Sequence, residues 1–281
     1  TITKKRDLKH LHDMFSRAGH CVFDLETESL NFKDRILSLQ LFYQDALGAL
    51  NCAYIPLESI NDMRSNPHTA KAVKAQNTKK KKQEPTMVQD SLFDLNPFTK
   101  DISQYKKERP TKEGYKMVPI DEPYRKFLKW KQVKSTINDI MSDKHIEKVA
   151  HNIKFDAKFL LYRGITIKNW TFDTMLAAWQ IDESRFSYQL KTLYAQEFNT
   201  ETTTLADVFR VGEYFNLPYD KQEEYACNDV LYTFELWQLY EPQVYVNDEQ
   251  ALFFEWQMMK VSEVLAHMEI NGVPIDYDRA V

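Results

Sequence analysis

Four carboxylates carry the chemistry that can be read in this chain: Asp24 and Glu26 in CVFDLE, Asp156 in HNIKFD, and Asp229 in YACND. They lie far apart in sequence, yet the element expected around each would aim it at one shared pocket. Four acids in one pocket repel each other unless cations hold them. A site built from oxygen ligands, with no Cys or His, selects hard divalent ions such as Mg2+ or Mn2+. That combination points to phosphoester chemistry.

The elements that must position these acids follow from the hydrophobic pattern. Residues 20–26 (HCVFDLE) read as a buried strand, followed by a turn over 28–34. ILSLQLFY (36–43) and ALNCAYIPL (49–57) read as two more strands, and the short links imply an antiparallel meander. Apolar residues at helical spacing predict a helix over Tyr124–Met141, then a short strand, IEKVA (146–150). A helix is expected from about Lys154 to Tyr162, stopped by Gly164. A fifth short strand enters Phe172, and Asp173 stands where it would cap a helix running to Ile181. The rest, to Tyr240, reads as mostly helical. This order predicts an α/β fold with a mixed sheet.

On such elements the spacing matters. Residues two apart on a strand share a face, so Asp24 and Glu26 would point together while Phe23 and Leu25 face away. Residues four apart on a helix stack, so Tyr225 would project beside Asp229. Asn152 and Asp156 share that spacing at a strand-to-helix junction, where Asn152 could cap the turn. Taken singly, a strand Asp-x-Glu is usually a solvated face, and an Asp at a helix start is usually a cap. Together, in this order and on these elements, coincidence explains them poorly.

The bulk numbers narrow the field. With 281 residues, 43% of them hydrophobic and only six Gly, the chain can bury one sizeable core with extra pieces attached. No apolar run approaches the roughly 20 residues of a membrane span, and no signal peptide opens the chain. Three cysteines, Cys21, Cys52 and Cys227, form no CxxC pair and read as reduced thiols of an intracellular, cytoplasmic protein. The net charge is −4, but residues 63–116 hold 13 Lys/Arg against 6 Asp/Glu; that stretch carries +7 and leaves −11 for the rest. Such a chain grips a short strand rather than a long duplex. It begins at Thr1 and reads as an excised fragment.

Three of these segments also carry a resemblance. Asp24-Leu25-Glu26-Thr27, Asn152-Ile153-Lys154-Phe155-Asp156 and Tyr225-Ala226-Cys227-Asn228-Asp229 resemble, in order and spacing, the three motifs of the 3′→5′ exonuclease domain of family A DNA polymerases. That domain belongs to the DEDD nuclease superfamily. Phe172-Asp173-Thr174-Met175-Leu176 is similar to a further block of the polymerase-linked group. Tyr225 marks the tyrosine-type branch; Glu224 stands where the histidine-type subgroup has His. The likeness covers roughly 20–62 and 117–245.

The resemblance implies a ribonuclease-H-like fold with a mixed five-stranded sheet flanked by helices. It implies a proofreading exonuclease that releases nucleoside monophosphates from a single-stranded or frayed 3′ DNA end, with two divalent cations, Mg2+ or substituting Mn2+. Asp24 would bridge both ions, Glu26 and Asp229 would complete the first, and Asp156 would help hold the second. Tyr225 would orient the attacking water, since a phenol with a pKa near 10 is a poor base. Thr27, Leu30, Asn152 and Phe155 would touch the DNA, Leu30 and Phe155 by wedging or stacking on the terminal bases. Phe155 could equally be a core residue. His151 replaces a more usual polar amide, and Asp173 is assigned to capping. Two alternatives stand beside this reading: a free-standing RNA-trimming nuclease like RNase D, and an exonuclease-like scaffold without activity.

The domain expectation is an exonuclease domain over 1–245, with a basic, partly mobile insertion at 63–116. Residues 246–281 follow as the first helix of a truncated family A polymerase domain. ALFFEWQMMKVSEVLAHMEINGVPID (251–276) reads as an amphipathic helix stopped at Asn271-Gly272 and resembles the opening of that module. The polymerase domain of the same parent chain is thus an expected partner. Within the insertion, KKKK (79–82) reads as an electrostatic arm for single-stranded DNA or an accessory protein. Gln89, Ser91, Leu92 and Phe93 resemble a bacterial sliding-clamp-binding peptide, with Asp90 in place of the usual Leu. An insertion of this kind fits a phage enzyme, acting in a bacterial or phage-infected cell.

Overall fold

A computed structural model describes residues 2, 4–27, 29–57, 128–200, 202 and 219–273. The chain divides into two compact units, and the first comprises residues 1–58, 126–202 and 220–281. Everything below concerns that unit. The 63–116 insertion, with its lysine run and Gln89, Ser91, Leu92 and Phe93, lies outside the described residues, as do Tyr124, Phe127 and 274–281.

Among the described residues, five strands form one sheet in the order β3-β2-β1-β4-β5. They are β1 (His20–Thr27), β2 (Ile36–Gln44), β3 (Leu50–Pro56), β4 (Glu147–Ala150) and β5 (Trp170–Asp173). The first three make the expected antiparallel meander, and β4 and β5 add parallel strands beside β1. The mixed five-stranded sheet is therefore present, with β1 at its centre.

Register fixes what each face carries. Val22 pairs with Phe42 and Phe42 with Cys52; Asp24 pairs with Gln40, and Glu26 with Ser38. One face thus runs His20, Val22, Asp24, Glu26 along β1, while Cys21, Phe23 and Leu25 are buried on the other. The second face is covered by α1 (Leu11–Ala18), whose Phe15 meets Tyr43 edge-on at 4.9 Å. Beside α1 packs α2 (Trp130–Ser142), through buried Val133, Ile137, Ile140 and Met141. α1 has no counterpart among the elements expected from the sequence. The helical spacing predicts a start of α2 at Tyr124, but Leu128 and Lys129 precede the helix, and the Lys129 N–H is capped by the Gln132 side chain.

The acid-bearing face is covered by α6 (Tyr219–Val244), a long helix. Phe234 packs on Phe42 at 5.0 Å and on His20 at 5.9 Å, and Trp237 meets His20 at 5.4 Å. Because α6 runs opposite to β1, the turns before Phe234 travel along the face toward Asp24 and Glu26. Asp229 and Tyr225 lie on those turns.

Between the two parallel strands stands α3 (Ile153–Tyr162), closed by Gly164 at φ +72. β5 leads straight into α4 (Thr174–Ile181), and α5 (Leu190–Phe198) follows. After α6, the chain continues through α7 (Asp248–Leu252), a π-helical segment (Phe253–Met259) and α8 (Lys260–Asn271), ending at Gly272 as the Asn-Gly stop implies. Glu269 of α8 accepts hydrogen bonds from Lys154 at 2.6 Å and from Lys158, so α8 lies along α3. Among the described residues no helix is long and apolar enough to cross a membrane.

Candidate functional site: an acidic cluster between β1 and α6

Asp24, Glu26 and Asp229 each bring a carboxylate oxygen within 4.8 Å of the others. Asp156 stands just outside that trio. It is 2% exposed, and the Leu25 backbone N–H lies near enough to both its carboxylate and that of Asp24 to favour their charged forms. The peptide between the two β1 acids therefore links the Asp156 position to the trio. Asp156 enters from the α3 side, while Asp229 enters from the α6 side.

Burial and mutual repulsion disfavour charge throughout. Burial first, then the neighbouring Asp229, pushes Asp24 up to about 7. Glu26 is raised well above the usual carboxylate range by burial and by Asp24 and Asp229. Asp156 is raised likewise by burial, Asp24, Glu26 and Asp173. Asp229 is raised by burial, opposed by Lys191 and by a hydrogen bond from the Tyr225 hydroxyl. The Tyr225 phenol is pushed above its ordinary value by burial and the surrounding acids, so it keeps its proton and donates. One oxygen each on Asp156 and Asp229 is buried and accepts no hydrogen bond. The donor-free Asp156 oxygen suits a cation ligand, Asp229 Oδ1 has the Lys191 ammonium near it without an aligned hydrogen bond, and the all-oxygen set fits divalent metal ions.

The α3 acid is placed by a device the sequence only half revealed. Asp173 does cap α4, accepting from Met175 N at 2.9 Å and Leu176 N at 3.4 Å. It also accepts from Asn152 N and Ile153 N, each at 2.9 Å, and so caps α3 as well. The expectation that Asn152 caps α3 with its own side chain is corrected. Asn152 makes no such bond, and its backbone turns left-handed at φ 58. A left-handed turn aims the Asn152 and Ile153 N–H groups at Asp173, which leaves no capping task for the Asn152 amide. Asn tolerates that conformation better than most residues.

His151 is a strut. Its Nε2–H donates to the Tyr188 carbonyl at 2.9 Å, and its Nδ1 accepts from the Thr174 hydroxyl at 2.8 Å. Burial holds its pKa down to about 4, so the ring is neutral and ties the segment before α5 to α4. Phe155 is partly buried against Phe159, with ring centroids 5.2 Å apart. Leu30 is 86% exposed, on a loop whose carbonyls at Phe32 and Asp34 accept from Arg163. The Thr27 hydroxyl donates to the Ser29 carbonyl at 2.8 Å, where β1 leaves regular pairing.

Sequence reasoning missed Lys191. Its ammonium lies 2.9 Å from Asp229 Oδ1, donates to Oδ2 at 3.3 Å, and sits 3.5 Å from the Tyr225 ring centroid. A single lysine on a predicted helix carries no signal of this; only the docking of α5 brings it here. Ser38 and Gln40, buried polar partners of Glu26 and Asp24 across β2, were also missed. Their polarity on an otherwise apolar strand was the available clue.

Comparison with known proteins agrees with this geometry. Residues 120–244 match the family model described as 3′-5′ exonuclease. DNA polymerase I of Treponema pallidum is 24% identical over 277 residues, 97% of this chain but 24% of its own length. The chain thus spans about a quarter of that relative. Among solved structures, the POL domain of Pol1 from M. smegmatis, in complex with DNA primer-template and dNTP, superposes with a TM-score of 0.53 at 14% identity. That match covers 95% of this chain and 32% of the other. Escherichia coli RNase D, an exoribonuclease, gives a TM-score of 0.50 at 14% identity, over 97% of this chain and 50% of its own.

Proposed function

We propose that this chain, which matches a 3′-5′ exonuclease family model over 120–244 and is similar to DNA polymerase I, is a nuclease with a proofreading activity. The enzyme removes nucleotides one at a time from a frayed 3′ DNA end, in the service of a polymerase domain on the same parent chain. In that arrangement residues 1–245 form the exonuclease domain, and 246–281 open the polymerase module. One observation carries the reading: three carboxylate oxygens from β1 and α6 within 4.8 Å, beside a buried fourth acid.

Asp24, Glu26 and Asp229 would hold one divalent ion, Mg2+ or substituting Mn2+, and Asp156 with Asp24 would help hold a second. Ions held there would supply a water of lowered pKa and positive charge for the leaving oxygen. The protein's own groups do the rest. The Tyr225 hydroxyl, protonated at working pH, donates a hydrogen bond and orients the attacking water instead of abstracting its proton. Leu30, exposed at its loop tip, and Phe155, at the cluster's α3 edge, offer apolar surface to the last bases. Such contacts read no sequence, as indiscriminate trimming requires. Thr27 and Asn152 line the strand's approach.

The test is digestion of 5′-labelled single-stranded and 3′-mispaired DNA, with and without Mg2+, set against an RNA oligonucleotide of the same sequence. Shortening from the 3′ end to mononucleotides, dependent on Mg2+ and abolished in Asp24→Ala/Glu26→Ala, is the expected result. Preferential digestion of RNA would assign the chain to the RNase D type of activity instead. Unchanged digestion by the double variant would remove the acids from the reaction.

A further inference from the structure

Lys191 has no part in the chemistry above, yet its position is built with care. Helix α5 is anchored along α6 by the Tyr194 ring stacked on Tyr232, centroids 4.0 Å apart, and by the Tyr194 hydroxyl donating to Glu235. Tyr240 donates to Glu197 at 3.0 Å, and Arg185 pairs with the same carboxylate at 2.6 Å. These anchors carry the first turn of α5 to the acids.

There Lys191, with its side chain only 11% exposed, faces Asp229 and the Tyr225 ring at the distances given above. A cation in the first turn of a helix is opposed by the helix dipole, and burial strips its water. A lysine does not settle in such a place unless something attracts it, and the attraction is the acidic cluster. The pairing is also incomplete. The ammonium hydrogen-bonds Asp229 Oδ2, while the nearer Oδ1 accepts no aligned hydrogen bond. Asp229 is thus neutralised but not saturated.

We propose that Lys191 is the resident counter-ion of the acidic cluster, and that a divalent cation binding at Asp229 displaces its ammonium. The ammonium holds together acids that would otherwise repel each other, and so keeps β1 and α6 in register before any ion arrives. It also occupies the coordination space of Asp229, so the ion competes with it. Lys191 is in this sense a positioning residue that sets how tightly the site takes metal. The Tyr225 face gives the displaced ammonium a place to remain, through its cation–π contact. The inference rests on the metal-dependent reading of the site, and its test does not use hydrolysis.

Mn2+ binding is measured by electron paramagnetic resonance at pH 8 on wild type, Lys191→Met and Lys191→Arg. Each protein is also denatured in urea after chelation. Removing one positive charge a few ångströms from a cation site is expected to tighten Mn2+ binding about tenfold in Lys191→Met. The metal-free midpoint of the same variant should fall, because its acids lose their counter-ion. Lys191→Arg should restore both values toward wild type. A lysine that merely packs would not, on removal, improve metal binding. Lys191→Met binding Mn2+ no more tightly than wild type, or no Mn2+ binding by either protein, would overturn the proposal. A wild type that binds Mn2+ but leaves DNA intact would defeat the nuclease reading and leave this one standing.

Discussion

Replacing Asp24 with Asn should make the metal-free protein more stable while ending its activity, and the size of the effect follows from the site. Asp24 is pushed up to about 7 by burial and by Asp229. In the unfolded chain its pKa returns to about 3.9. The folded pKa is the higher one, so Asp24's contribution to stability is complete below about pH 4 and is lost as pH rises through about 7. Three pKa units at about 1.4 kcal/mol each set a ceiling of about 4 kcal/mol lost by pH 8. Glu26, Asp156 and Asp229 compete for the same protons, which brings the expected loss to about 2–3 kcal/mol. Asn cannot ionise, and its amide matches the carboxyl group in size and shape. Asp24→Asn should therefore match wild type at pH 4, pull ahead between pH 4 and 7, and stay ahead at pH 8. The gain should be roughly 4–10 °C in melting temperature. Adding Mg2+ should narrow the gap, since the ion stabilises wild type by binding its folded state. Chelated samples melted from pH 4 to 8, with and without Mg2+, give the measurement. An Asp24→Asn protein no more stable than wild type at pH 8 would show that the acids do not strain the fold, and the repulsion argument would fail.

Two further outcomes test the parts around the acids. Asp173→Ala leaves the buried Ile153 N–H and the partly buried N–H groups of Asn152, Met175 and Leu176 without their acceptor, at roughly 1–3 kcal/mol for the buried one and less for each of the others, so about 2–5 kcal/mol of stability should go. Hydrolysis should fall with it, because α3 positions Asp156; a urea-derived loss under about 1 kcal/mol would mean the shared cap is not what orders α3. Tyr225→Phe keeps the ring that Lys191 packs on and removes only the hydroxyl. It should lower kcat about 10- to 100-fold with KM and Mn2+ affinity unchanged, and a full-rate variant would strip the phenol of its role.

Much of this protein was decided by local pattern. Alternation over 20–26, 36–43 and 49–57 specified the three-stranded meander, because side chains on a strand repeat every two residues and one face of each strand must be buried. The same rule put Asp24 and Glu26 on one face, and the helical repeat put Tyr225 beside Asp229. What the pattern could not contain is distance between elements. That Asp229 reaches Asp24 depends on α6 running opposite to β1, a choice made by Phe234 and Trp237 against His20 and Phe42. That Asp173 serves two helices depends on the left-handed turn at Asn152, which aims two further N–H groups at its carboxylate. Lys191 shows the limit most clearly. Nothing in LKTLY marks it, and its charge meets the acids only because two tyrosines 46 residues apart seat α5 on α6. Periodicity is a property of neighbours in the chain. Electrostatic coupling is a property of neighbours in space, and only packing makes those.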